Sequence, residues 1–235
     1  MITRRPAAER GHANHGWLNS HHSFSFAEYH DPSHMGFRSL RVVNDDQVAP
    51  GQGFGSHPHR DMEILSYVLR GKLEHKDNLG NGAVIGPGEF QRITAGRGVV
   101  HSEFNPSMDE HVHFYQVWIK PRAHGLEPGY EELDANPLFA DGVPGMRLVA
   151  SANGRDGSLT IQQDADVWLG RFGEGEQAEH RIAEGRGVWV QVLRGGLTVN
   201  GAASESGDGV AIEQEPAVEL TATSDGAEVL VFDLP

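Results

Sequence analysis

The sequence predicts an all-β chain built as two tandem barrels or sandwiches, on three observations. Short runs of β-branched and aromatic residues recur along its 235 residues, each closed by a turn signal such as "NLGNG", "GPGEF" or "VNGAA". Almost nothing sustains the helical spacing of apolar residues over three turns. Finally, two stretches repeat one pattern: "EILSYVLRGKLEHKDNLGNGAVIGPGEF" and "VWVQVLRGGLTVNGAASESGDGVAI" each run strand, "VLRG", strand, Gly-bearing turn, strand.

Taken in order, the strand candidates are "FRSLRVV" (37–43), "EILSYVLRG" (63–71), "HVHFYQVWI" (111–119), "VWVQVLRGGLTVNG" (188–201) and "EVLVFDL" (228–234). The best helical candidate is "GYEELDANPLF", closed by Pro137, inside a polar, Pro-rich passage from Pro121 to Pro144. That passage is expected to link the halves, giving a first domain over 1–120, a linker over 121–146 and a second domain over 147–235.

Composition narrows the chemistry. With no Cys, there is no disulfide framework and no thiolate ligand, so any metal must be held by imidazole and carboxylate. A formal net charge of -14 with scattered Lys and Arg opposes binding to nucleic-acid phosphates. The start "MITRRPAAERGHANHG" has no apolar signal region, and no run approaches the roughly eighteen apolar residues of a membrane span. The expectation is a soluble, unexported, cytoplasmic protein with no nucleic-acid or membrane partner.

Twelve of the 14 His lie before residue 114, so imidazole chemistry belongs to the first half. In "GQGFGSHPHRDMEILSYVLRG" (51–71), His57 and His59 alternate and point to one face of a strand, where two ring nitrogens can meet one ion. Asp61 and Glu63 share that face if the strand stays regular. In "HSEFN", His101 and Glu103 repeat the spacing behind the flexible run "TAGRGVV". Three imidazoles and one carboxylate, with positions left for water or substrate, suit Fe(II), Ni(II), Mn(II) or Zn(II). Spacing leaves the carboxylate open between Glu63 and Glu103. His12, His15, His21, His22, His30 and His34 are spaced irregularly and are expected to pack or make rim hydrogen bonds. Phe24, Phe26 and Tyr29 are expected to pack, and His75, His111 and His113 to be structural. In the second half Glu179 and His180 fall on opposite faces, so no second site is expected.

"G-x5-HPH-x3-E-x7-G" from Gly51 to Gly71, followed by "GEFQRITAGRGVVHSEFN" from Gly88 to Asn105, resembles the two motifs of cupins. "HPHRDMEILSYVLRG", "TAGRGVVHSE" and "GHANHGWLNSHHSFSFAEYHDP" more narrowly resemble the pirin family in its bacterial branch, from about Gly11 to Pro235. Two departures from the general cupin pattern, Thr94 in place of Pro and four residues between Gly96 and His101, are themselves pirin-like. The resemblance implies a bicupin, two tandem jelly-roll-like β-barrels, with one metal ion in the first barrel and none in the second. It implies His57, His59, His101 and Glu103 as ligands. Glu63 matches the fourth ligand of many other cupins and becomes a supporting or reserve residue.

The resemblance also implies quercetin 2,3-dioxygenase chemistry, the opening of a flavonol C ring by dioxygen with release of carbon monoxide. Fe(II) is the first expectation for the ion, with Ni, Mn, Co, Cu or Zn as alternatives. The substrate 3-hydroxyl would take an open position, Glu103 would accept its proton, and the apolar wall would receive the aromatic rings. The alternative implied by the family is a redox-sensitive regulator acting through a protein partner. A monomer is expected.

Overall fold

The computed structural model describes all 235 residues, Met1–Pro235, and is built almost wholly of strands. The only helices are three-to-four-residue 3-10 turns, and none is long and apolar enough to cross a membrane. The all-β expectation and the two-barrel organisation hold.

The chain opens with β1 (Ile2–Arg5), then β2 (Gly11–Asn14), β3 (Leu18–His22), β4 (Leu40–Val48), β5 (Gly53–His59) and β6 (Glu63–Arg70). It continues with β7 (Leu73–Asp77), β8 (Gly82–Ile85), β9 (Glu89–Thr94), β10 (Val99–Phe104), β11 (Val112–Ile119) and β12 (Gly129–Asp134). Strands β2 to β12 form one compact unit, residues 11–136 with 161–163. A seven-stranded sheet, β12-β9-β6-β11-β4-β3-β2, faces a four-stranded one, β5-β10-β7-β8. Between them pack Leu18, Val48, Val68, Leu73, Ile85, Val112 and Phe114, all buried. Burying both faces explains why β6 reads as a continuous apolar run while β10 alternates, with Val99, His101 and Glu103 inward.

The second unit holds residues 1–10, 137–160 and 164–235. Its strands are β13 (Gly145–Ser151), β14 (Leu159–Thr160), β15 (Asp166–Phe172), β16 (Gln177–Arg181), β17 (Gly187–Arg194), β18 (Gly196–Val199), β19 (Ala202–Glu205), β20 (Gly209–Glu213), β21 (Ala217–Ala222) and β22 (Ala227–Leu234). They repeat the plan of a seven-stranded sheet, β1-β20-β17-β22-β15-β13-β14, and a four-stranded one, β16-β21-β18-β19. The repeated "VLRG" ends β6 and β17 alike, and the glycines that follow, Gly71 at φ 75° and Gly195 at φ 68°, make the same left-handed turn.

The structure departs from expectation in two places. Residues 2–5 pair with β20 through Ile2 to Ile212 and Arg5 to Gly209, so the first ten residues belong with the second half. "GYEELD", read as helical, is instead β12, pairing with β9 from Gly129 opposite Thr94 to Asp134 opposite Glu89, and only Asn136–Phe139 makes a 3-10 turn. Its residues alternate faces against β9, an edge position that composition does not reveal.

Gly53 on β5 is fixed by close approach. A Cβ there would lie 2.3 Å from the Glu103 carbonyl oxygen and 2.5 Å from the Phe104 Cα, both backbone. Gly53→Ala is therefore expected to wedge β5 from β10 and lower stability by about 1–3 kcal/mol, read by urea unfolding.

Candidate metal centre

Register assembles the site. In the four-stranded sheet His101 on β10 stands opposite His57 on β5 and Asp77 on β7, while Glu103 stands opposite Phe54 and His75. A bulge between β10 and β5 separates the two pairings. The inward parity of β10 thus carries His101 and Glu103 to the face that His57 and His59 share.

The candidate ligand atoms of His57, His59 and His101 all lie within 4.8 Å of one another. Nε2 of His101 is 3.0 Å from Nε2 of His57. Two nitrogens bound about 2.1 Å from one ion at a right angle would stand about 3.0 Å apart, so the spacing suits a shared ion. His57 donates from Nδ1 to the Gly55 carbonyl oxygen at 2.8 Å, which leaves its Nε2 lone pair toward His101. Burial, with the neighbouring rings second, pushes His59 down to about 4 and His101 to about 3, so both rings are neutral at physiological pH, the form in which an imidazole can bind an ion.

Glu103 groups separately, its carboxylate lying within 4.8 Å of the ring nitrogens of His75 and His101. It is buried and accepts from Gln91 Nε2 at 2.6 Å and Ser66 Oγ at 3.3 Å on one oxygen, and from Gln116 Nε2 at 2.7 Å on the other. A carboxylate offers about four lone-pair sites, so one remains for an ion. Trp118 Nε1 donates to Gln116 Oε1 at 3.1 Å and so sets the direction of that amide. The donor set, neutral imidazoles beside one held carboxylate, fits a divalent ion.

The other carboxylates are elsewhere. The strand does not stay regular: β5 ends at His59, Asp61 turns at φ 50°, and β6 restarts in the facing sheet with its parity reset. Asp61 accepts from the Gly125 N–H at 2.6 Å. Glu63, fully buried, accepts from Thr94 Oγ1 at 2.8 Å and the Gln162 N–H at 3.1 Å on one oxygen, and has no partner on the other. Burial raises it to about 7. It joins neither ligand group, and Thr94, the departure from the cupin pattern, is the residue that holds it.

A cavity of about 490 Å³ opens onto His57, His59 and Glu103, walled by Trp17, Phe26, Phe54 and Trp118. Trp118 stands edge-on to His59 at 4.9 Å and to Phe26 at 5.4 Å between ring centroids. Phe26, expected to pack, thus lines the cavity as well, and His15 and His22 reach its wall. One polar strip crosses this wall: Ser20 donates to Asp46, and His22 Nδ1 donates to Asn44 Oδ1 at 2.9 Å. Burial raises Asp46 to about 7. Sequence reasoning missed Asp46, Ser66, Gln91 and Gln116. The signal available was a polar residue at an inward position of an otherwise apolar strand.

His113 donates to Asp45 at 2.7 Å and lies outside both candidate ligand groups. His180 donates to Asp233 at 2.7 Å in the second unit.

A family model described as Pirin matches residues 3–119, and one described as Quercetinase C-terminal cupin domain matches 148–234. A relative from Escherichia coli strain K12, named quercetin 2,3-dioxygenase, is 52% identical over 235 residues, covering 100% of this chain and 99% of its own. The crystal structure of the bacterial pirin YhhW from Escherichia coli in complex with nickel(II) is 52% identical with a TM-score of 0.94, covering 100% of this chain and 99% of that one. YhaK, also from Escherichia coli, is similar at 30% identity and a TM-score of 0.76, over 96% of this chain and 98% of that one.

Proposed function

The chain belongs to the pirin family, and from that premise we propose that it is a metal-dependent dioxygenase opening the C ring of a flavonol with dioxygen, the quercetin 2,3-dioxygenase reaction. The observation that carries this reading is the aromatic-walled cavity that opens directly onto His57, His59 and Glu103. A flat polyphenol suits such a cavity, which offers indole and phenyl faces on its walls and a few polar groups to set orientation.

One divalent ion would be held by His57, His59, His101 and Glu103. Fe(II) is the first expectation drawn with the family resemblance, and the nickel(II) in YhhW makes Ni(II) the second candidate. When bound, the ion supplies Lewis acidity that favours ionisation of the flavonol 3-hydroxyl. Trp118 and Phe26 bound the space for the rings and exclude water. Glu103 would accept the hydroxyl proton at the one lone pair its three donors leave free, serving the ion and the proton in turn, while Gln91, Ser66 and Gln116 hold its carboxylate in one orientation.

The test is purified protein loaded separately with Fe(II), Ni(II), Mn(II), Co(II) or Cu(II) and given quercetin in air. Loss of flavonol absorbance with stoichiometric carbon monoxide is expected for at least one ion. No turnover with any of them sinks the proposal.

A further inference from the structure

Behind His101, on the side away from His57, lies a chain of buried groups with no part in the reaction as described. His101 Nδ1 is 3.3 Å from His75 Nδ1, and His75 Nε2 is 3.3 Å from Asp77 Oδ2. The side chains of His75 and Asp77 are wholly buried. Asp77 already accepts from the N–H groups of Leu79 and Asn81, both at 2.9 Å, and from Asn81 Nδ2 at 2.8 Å. Every partner of Asp77 is a donor, so His75 Nε2 carries the proton of that pair. With His75 as the neutral ring, its Nδ1 is a lone pair and the proton between the rings comes from His101 Nδ1. A neutral imidazole has one N–H, so His101 Nε2 is left as the lone pair toward His57.

We propose that Asp77 and His75 form a relay that fixes the tautomer and ring orientation of His101, making His75 a positioning residue for the metal centre. The ring of His75 is held for this task by stacking on Tyr130, at 4.7 Å between centroids and 13° between planes. Tyr130 also donates to Gln91 Oε1 at 3.3 Å, and Gln91 donates to Glu103, so one tyrosine from β12 steadies the groups behind both His101 and the carboxylate. Register places both groups, for Asp77 stands opposite His101 and His75 opposite Glu103. The inference rests on His101 being a ligand, as the proposed function has it.

The test reads metal binding, not turnover. His75→Phe keeps a ring for Tyr130 and removes the acceptor. His75→Asn puts an amide oxygen near the lost Nδ1 and restores it. With Ni(II) in competition with a chelator, His75→Phe is expected to weaken binding roughly 10–100-fold and His75→Asn to stay near wild type. In the Co(II)-loaded protein, proton NMR is expected to show a shifted, slowly exchanging ring N–H from His101 that His75→Phe loses and His75→Asn keeps. Should His75→Phe fail to fold, Asp77→Asn reads the same relay and is expected to weaken Ni(II) in the same direction by less. Wild-type affinity and N–H signal in a folded His75→Phe, or in Asp77→Asn, overturn the relay. So does a folded His75→Asn as weak as His75→Phe. A second equivalent of Ni(II) that disappears with His75 would make His75 a ligand instead. Full affinity in His101→Ala would overturn the ligand assignment itself, independently of the outcome with quercetin.

Discussion

His101→Ala is expected to take the protein from about one bound divalent ion per chain to below roughly a tenth, measured by elemental analysis after desalting. His101 is the residue common to both groups of candidate ligands, its two ring nitrogens engaged on opposite sides by His57 and His75. Its removal deletes one proposed ligand and also the packing that holds Nε2 of His57 in place. His57→Ala and His59→Ala are expected to fall the same way. A thermal readout runs in parallel, because an ion bound only by the folded state stabilises it by about 4 kcal/mol at a thousand times its dissociation constant. Ni(II) should therefore raise the wild-type midpoint and leave His101→Ala unmoved. The carboxylate is decided by a second pair: Glu103→Ala should lose the ion and Glu63→Ala should keep it. The reverse result would return the fourth position to Glu63 and refute the assignment made from "HSEFN".

What the sequence disclosed follows from periodicity. His57 with His59, and His101 with Glu103, could be read because each pair lies within one strand, where parity is local. Glu63 could not, because Asp61 adopts a left-handed conformation between β5 and β6 and hands the chain to another sheet. "HPHRDME" looks like one alternating strand and is two. His75 was hidden for a related reason: it comes within 3.3 Å of His101 only through the pairing of β7 with β10, a long-range register that no local pattern fixes. The helical reading of 129–139 failed likewise, since β12 is an edge strand whose half-exposed residues carry no apolar stripe.

Glu63→Gln is expected to stabilise the protein at pH 8 and to make almost no difference near pH 4.5. The carboxyl is fully buried, its Oε2 takes both donors, and Oε1 has none, so the neutral form with the proton on Oε1 suits the site better than the anion. Its folded value of about 7 stands above an ordinary 4.5. Between those values the folded state binds more protons than the unfolded chain, so this residue makes stability fall as pH rises through that window, and above it the loss is constant. The difference corresponds to about 3 kcal/mol at the upper end, as an order of magnitude. Gln keeps the acceptor for Thr94 and the Gln162 N–H, cannot ionise, and like the protonated carboxyl places a donor group, here an NH2, at the unpartnered position. The two proteins should accordingly unfold at similar urea concentrations near pH 4.5 and diverge by pH 8 in favour of Glu63→Gln. Equal stability at pH 8 would mean that Glu63 is ionised in the fold with a partner for Oε1. A bound cation beside it would be such a partner, so the same unfolding curve also tests whether Glu63 stands apart from the metal.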